Sequence, residues 1–449
     1  MKKSRVLAAF VTLGLAASAS TPVMALENQV SGSYTIMYDL SNYNATGVLA
    51  HDAKTQNFIP QRVRLGYTAK ANEDVKLVTK FEFDYNYLGN SSYAVARGGG
   101  GALGSDTINM ETKNLYLDLN LPNKMNVKLG MMNNADSFKG MMFYYNDMAG
   151  IQLSQELGKA QVTAGLFRLA ESNVSTIGKY THDMLTIDGK YKVSKETNIG
   201  AAYYYISDNR DNGSTTTSSP NGAIIGYTAA GDAIYTLAPT ITTTPNAANA
   251  VKVHTVGLNA ETVVGPITLS GFALTQFGDL TSTQKAKGYA VNLGAKMPLA
   301  GGTARSEFIY AGGGKNSLYV LYGEGGAFYD GEMIILSRDK NNFAIDNAIV
   351  YDVNNGNQGV IMGTVGYDYP ITDKLSGSVN AGFAAVADNS VAGRSNYLGT
   401  EVNFEANYKL MSNVTIGARA GYVFLGDYFK TSPSYDNPYD AKLIAQYSF

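Results

Sequence analysis

The chain closes on Tyr439-Asp440-Ala441-Lys442-Leu443-Ile444-Ala445-Gln446-Tyr447-Ser448-Phe449. Tyr439, Ala441, Leu443, Ala445, Tyr447 and Phe449 occupy one phase of this stretch, and Asp440, Lys442, Gln446 and Ser448 the other. A β-strand turns successive side chains to opposite faces, so the segment reads as a strand that separates an apolar medium from a wet one.

The same alternation recurs back to the start of the chain. Val30, Gly32, Tyr34, Ile36 and Tyr38 oppose Ser31, Ser33, Thr35 and Asp39. Val63, Leu65 and Tyr67 alternate with Arg62, Arg64 and Thr68. After the tight turn Ala71-Asn72-Glu73-Asp74, the residues Val75, Leu77, Phe81, Phe83 and Tyr85 alternate with Lys76, Lys80, Glu82 and Asp84. The apolar face of this hairpin carries no charge. Further short turns stand at Pro122-Asn123, Leu157-Gly158-Lys159, Ser194-Lys195-Glu196, Gly265-Pro266, Ala300-Gly301-Gly302, Thr372-Asp373-Lys374 and Ser412-Asn413, all built from residues that favour turns. The intervening connections are longer and polar: 41–58, 89–106, 207–251, 312–358 and 426–437.

Eighteen strands follow, starting near residues 29, 59, 75, 107, 125, 148, 160, 183, 197, 252, 267, 288, 303, 359, 375, 397, 414 and 438. Sixteen and twenty are the neighbouring counts. The strands near 125 and 148 carry the weakest pattern, and 312–358 has room for another pair, Ser317–Tyr322 with Glu332–Ser337. The expected fold is all-β: a closed antiparallel transmembrane β-barrel with short turns at one end and long loops at the other. Lipid offers no hydrogen bonds, so a sheet that spans it must close on itself. A soluble antiparallel sheet also alternates. The placement of Tyr34, Tyr38, Tyr67, Tyr85, Tyr203, Tyr289, Tyr310, Tyr408, Tyr422 and Tyr447 in the apolar phase, many near strand ends, favours a membrane with aromatic girdles.

Composition agrees. Charged residues are 16%, against about a quarter in soluble domains. Gly (48) and Tyr (32) abound, and Trp and Cys are absent, which removes disulfide, thiolate-metal and haem-attachment chemistry. A net charge of −2 offers nucleic acid no electrostatic attraction. Residues 1–25 read as an export signal: Lys2, Lys3 and Arg5, an apolar run from Val6 to Ala17, and Val23-Met24-Ala25 before the cut. The barrel domain then spans 26–449. No later stretch has the eighteen or so continuous apolar residues of a membrane helix.

With its terminal aromatic strand, its turns and its signal, the chain resembles the single-chain outer-membrane porins of Gram-negative bacteria. That resemblance implies passage through the periplasm, assembly into outer-membrane lipid by the barrel-assembly machinery reading Tyr447 and Phe449, and a homotrimer or a monomer. By general resemblance it is also similar to abundant porins of metal-respiring bacteria, an ecology no residue establishes.

Sixteen to eighteen strands leave a water-filled bore. The expected function is passive diffusion of small hydrophilic solutes and ions. A substrate-selective channel and a surface adhesion barrel acting through its long loops are the alternatives. Pore-lining candidates in the polar phase are Arg62, Arg64, Lys76, Lys80, Glu82, Arg305, Glu307, Glu401, Glu405 and Arg419. Basic and acidic walls facing each other would set a transverse field; spread over the pore height, the same residues would be ordinary solvated side chains. Porins of this kind often fold one loop inward. The candidate is 133–147, with Asp136, Lys139 and Asp147 as its charges and Met141-Met142-Phe143-Tyr144-Tyr145 needing cover. The alternatives for that run are a strand top and a subunit contact. The Thr-, Ser- and Ala-rich 207–251 reads as an exposed surface loop.

No catalytic, cofactor or metal site is expected. His182 and His254 adjoin Asp183 and Thr255, but strand neighbours point apart. Gly312-Gly313-Gly314-Lys315 lacks the spacing of a phosphate loop. Asp352-Val353-Asn354-Asn355-Gly356 lacks the terminal glutamate of a calcium loop, Gly363 standing there. Arg97 and the glycines after it read as a loop tip.

Overall fold

The computed structural model describes residues 26–90, 101–103, 109–171, 178–210, 214–227, 233–245, 249–321, 331–341, 343–344, 347–389 and 393–449. The export signal and Arg97 lie outside them. In chain order the strands are β1 (Glu27–Ser41), β2 (Gln56–Phe58), β3 (Pro60–Asn72), β4 (Val75–Tyr87), β5 (Met110–Asn120), β6 (Met125–Asn134), β7 (Asn146–Leu157), β8 (Ala160–Glu171), β9 (Thr181–Lys192), β10 (Thr197–Asp208), β11 (Ser214–Tyr227) and β12 (Ala233–Pro245). They continue with β13 (Val251–Val264), β14 (Ile267–Asp279), β15 (Lys285–Ala286), β16 (Tyr289–Leu299), β17 (Gly302–Ala311), β18 (Val360–Pro370), β19 (Leu375–Ala385), β20 (Tyr397–Met411), β21 (Val414–Leu425) and β22 (Tyr439–Ser448).

Eighteen of these form one closed antiparallel barrel. The seam is β1 on β22, in register from Ser33 opposite Ser448 to Ser41 opposite Asp440. β2 extends β1, β15 extends β14, and β11 with β12 forms a separate pair. Each of the eighteen expected starts lies within three residues of an observed one, including those of β6 and β7, where the pattern was weakest. The eight turns at one end hold two or four residues, and the start of β1 and the end of β22 lie at that end.

The faces are inverted relative to a soluble sheet. Along β16, Val291 and Leu293 are 40% and 68% exposed while Asn292 between them is fully buried. Apolar side chains look outward and polar ones inward, the arrangement lipid demands. Tyr67, Tyr408 and Tyr447 are exposed on the outer face towards the short-turn end, and Tyr38, Tyr289 and Tyr422 towards the other, giving two aromatic girdles.

Two expectations for the long connections are corrected. The stretch 207–251 is no plain surface loop: β11 and β12 pair within it from Ser214 opposite Pro245 onward. The region 312–358 forms no second strand pair among its described residues. It holds a 3₁₀ turn at Gly314–Asn316 and a single bridge, Ser337 to Val350, and the N–H groups of Ile334, Ile335 and Leu336 bond the Glu401 side chain on β20 rather than a partner strand.

Candidate functional site: the lumen and the loops folded into it

Residues 135–145 leave β6 and cross the interior. Asp136 is the knot that makes this possible: its Oδ1 accepts the N–H groups of Phe138 (2.6 Å) and Gly140 (3.0 Å), and its Oδ2 those of Met142 (2.6 Å) and Phe143 (2.8 Å). Burial pushes this carboxyl up to about 6 against the pull of those four donors. Gly140 takes the positive φ (80°) that lets the chain turn back. The tip then docks on the far wall. The Ser137 N–H donates to Tyr204 Oη (2.9 Å), and both the Ser137 and Tyr204 hydroxyls donate to Asp188. Phe138 is fully buried between Tyr204 and Phe272, with ring centroids at 5.8 and 5.6 Å. It sits over Gly257, where a Cβ would come within 2.5 Å of its ring. Lys139 pairs with Glu307 on β17 and reaches Ser270 on β14 (3.4 Å). Of the run Met141 to Tyr145, Met141, Met142 and Phe143 are buried, whereas Tyr145 is 61% exposed.

A second segment folds inward from between β17 and β18. Glu401 on β20 is its anchor, fully buried. Its Oε1 accepts the N–H of Ile334 (2.8 Å), and its Oε2 those of Ile335 (3.0 Å) and Leu336 (2.6 Å). Asp339 follows, bonded to the Arg419 guanidinium (2.9 and 3.0 Å) and the Lys442 ammonium (3.0 Å). Burial works against the Asp339 charge, but Lys442 and Arg419 hold its carboxyl below the usual range. The two inward segments touch where the Leu321 N–H donates to the Met142 carbonyl (3.2 Å).

What the loops leave open is a cavity of about 680 Å³ beside β3, β4 and β5. Arg62, Arg64, Lys80, Lys113, Arg338, Lys340 and Arg419 line it, against Glu82, Asp147 and Asp339. Glu82 stands behind Arg64. Glu82 (1% exposed) receives Arg62 (3.2 Å) and Arg64 (39% exposed); Asp84 (0%) receives Arg62 as well (2.9 Å). Lys113 pairs with Asp147 (2.6 Å), and Lys80 has no hydrogen-bond or ion-pair partner among the described residues. Pairing leaves the Arg64 guanidinium open to the water, while Arg62 and Arg419 lie deeper at 14% and 7% exposed.

The remaining candidates lie elsewhere. Glu307 and Lys139 fasten the first loop, and Glu401 the second. Arg305 binds Asp368 (2.9 and 3.2 Å), Ser378 (3.0 Å) and Asn380, in a separate recess of about 540 Å³ that Glu405 also lines. Glu405 also pairs with Arg419 (3.0 Å). Lys76 sits opposite Lys70 and Asp118 near the short-turn end, outside the main cavity. Tyr447 and Phe449 stack (5.4 Å) on the outer face, and the Phe449 backbone exchanges two bonds with Gly32. His254 faces outward between Tyr205 and Phe277, held by Tyr203 Oη (2.8 Å). Sequence reasoning missed Lys113, Arg338, Asp339 and Lys340. Lys113 could have been found by phase on β5; the other three lie in a loop with no periodicity to read.

Fold and lumen together define a large closed antiparallel β-barrel whose bore is narrowed by inward-folded loops. No family model matches the chain, and no curated protein does. Among solved structures it is similar to Pseudomonas aeruginosa OccK9 (OpdG), with a TM-score of 0.58, 12% identity, and coverage of 94% of this chain and 98% of that one. The outer membrane protein opdK of the same organism gives 0.56, 12%, 94% and 98%, and OccK3 (OpdO) gives 0.55, 12%, 94% and 96%. At such identity the likeness is one of fold.

Proposed function

We propose that the protein is a diffusion channel of the outer membrane that passes small polar solutes and favours anions where its loops narrow the lumen. The observation that carries this is the layering of charge: Arg64, Lys340 and Lys113 keep 39%, 35% and 23% of their side chains exposed, more than the acid each pairs with most closely, Glu82 at 1%, Glu332 at 23% and Asp147 at 18%. A fixed positive surface in a low-dielectric tube concentrates anions and repels cations. That two loops rather than one enter the bore supports the substrate-selective variant over a wide sieve. Residues 1–25 would direct export, and Tyr447 with Phe449 would be read during assembly.

The test is the reversal potential of the refolded mature chain in a planar bilayer under a potassium chloride gradient. A potential on the chloride side is expected. A potassium-selective current, or no current from demonstrably folded barrel, overturns the proposal. Flux that saturates with one solute identifies the selective variant.

A further inference from the structure

Gln276 on β14 faces the bore and is buried. Its side-chain amide pairs with the backbone of Tyr319 as a neighbouring strand would: Oε1 accepts the Tyr319 N–H (2.8 Å) and Nε2 donates to the Tyr319 carbonyl (2.8 Å). A backbone N–H can only donate and a carbonyl only accept, so this pairing fixes which way the amide faces. The same Nε2 reaches Thr255 Oγ1 on β13 (3.1 Å) and the Met142 sulfur (3.7 Å). One side chain of the wall thus holds both inward segments, the first through Met142 and the second through Tyr319. Gly288 lies beside it, where a Cβ would come within 2.7 Å of Gln276 Oε1 and of the Ser317 carbonyl and within 2.8 Å of Leu318 Cα.

From this point hydrogen bonds and short lengths of chain run to both carboxylate anchors. Towards the first, Met142 gives its N–H to Asp136 (2.6 Å) and takes the Leu321 N–H on its carbonyl (3.2 Å). Towards the second, the Leu318 carbonyl accepts Asn354 Nδ2 (2.7 Å), and the N–H groups of Ile349 and Val350 donate to the carbonyls of Ile335 and Leu336 (2.9 and 3.0 Å). The N–H groups of those same two residues end on Glu401. The apolar side chains follow this route: Met141, Phe143, Leu321, Leu336, Val350 and Val353 belong to one buried cluster.

We infer that Gln276 is the positioning residue that joins the two inward segments into one cooperative plug, so that neither undocks without the other. The reason is the cost of parting them. Withdrawing the first segment alone takes the Met142 carbonyl from Leu321 and uncovers the apolar side chains it shared a cluster with. Withdrawing the second alone leaves Gln276 Oε1 and the Met142 carbonyl without their donors. A buried polar group stripped of its partner costs more than a hydrogen bond gains, and newly exposed apolar surface adds to the cost. Undocking both together opens the site to water, which satisfies all of these groups. Residues of one such network couple by a factor of roughly 2 to 150 in equilibrium constant. In a channel the consequence is a bore with one narrow and one wide state and none between. That consequence rests on the channel reading proposed above; the coupling itself does not.

The experiment follows each segment by its own reporter in the full mature chain, folded in detergent micelles. The chain has no cysteine, and Met141 and Val353, one on each segment, are buried. Met141→Cys and Val353→Cys therefore react with a water-soluble maleimide only when their segment undocks. Glu401→Ala is expected to speed labelling at both positions by the same factor, ten or more, and Asp136→Ala to do so from the other end. Gln276→Met keeps the length of the side chain without its hydrogen bonds and is expected to break that equality: Glu401→Ala then speeds Val353→Cys several-fold more than Met141→Cys. Gly288→Ala pushes Ser317 and Leu318 off the wall with the amide in place, a second route to the same result. Glu401→Ala that speeds Val353→Cys alone, or neither position, in the parent chain would overturn the inference, as would responses that stay equal in both Gln276→Met and Gly288→Ala. Labelling needs no current, so a folded barrel that does not conduct fails the channel reading and leaves this test intact.

Discussion

Replacing Glu401 by alanine should release the second inward segment while leaving the barrel closed. The carboxylate accepts three backbone N–H groups at 2.6 to 3.0 Å, and Asn403 Nδ2 bonds it as well (2.7 Å). A hydrogen bond to a charged group contributes about 1.5–3 kcal/mol net, and three would sum to roughly 4–9 kcal/mol. Hydration recovered by an exposed carboxylate in the released state offsets part of this, several kcal/mol for a buried ion, leaving about 3–5 kcal/mol of anchoring. At 1.4 kcal/mol per tenfold, the ratio of docked to released loop should fall by a factor on the order of a hundred to a few thousand. Asp339, bonded to Arg419 and Lys442, is a second anchor, beside the bond from Asn403 Nδ2 to the Glu332 carbonyl (3.0 Å). Glu401→Ala should therefore add a second, larger conductance level to single-channel records, and Glu401→Ala with Asp339→Ala should occupy that level most of the time. Glu401→Gln, which keeps one acceptor oxygen, should fall between. Records from the double variant indistinguishable from those of the parent, in folded barrels, would refute the assignment of Glu401 as an anchor.

Other expectations follow from the same geometry. Arg64→Gln with Lys113→Gln removes two exposed cations, leaving Glu82 with Arg62 alone and Asp147 without Lys113, so the reversal potential should move towards potassium; no shift would show that these residues do not set selectivity. Asp136 titrates near 6 in the docked first loop against 3.8 when solvated. The docked loop then binds the proton more tightly and gains stability as pH falls from about 6 to 4, losing it as pH rises through 6, by up to about 3 kcal/mol. Current noise from this loop should be lower at pH 4.5 than at pH 7.5, and Asp136→Asn should erase that difference. Leu293→Lys places a charge on the lipid face of β16 and should cost about 2–4 kcal/mol if it lies near the midplane, read as a lower guanidinium midpoint for unfolding from lipid vesicles.

The strands were legible because a lipid-spanning strand needs only local information. Its two faces meet different solvents, so the period of two appears in Tyr439 to Phe449 as plainly as in β16. Gly and Pro turns mark the ends because their backbone limits act within two or three residues. The inward loop was legible only as an apolar run, Met141 to Tyr145, without its destination. Asp136, read in the sequence as a lumen charge, proved to be the loop's own organiser, and Glu401 an anchor hidden under a different loop. The charged run Arg338 to Lys340 carried no pattern to find it by.

By itself the sequence determined the barrel, its strand number to within two and the phase of residues that faces outward, since each depends on neighbours one or two positions away. Tertiary structure alone decided which charges meet water. Arg64 and Glu82 are opposite on adjacent strands, but Glu401 and Leu336, or Lys139 and Glu307, come together only when a loop crosses the bore. Burial then hides Glu82 and leaves the Arg64 guanidinium in front of it, and it hides Arg419 and Lys442 together with Asp339, a division set by depth in three dimensions that no spacing along the chain encodes.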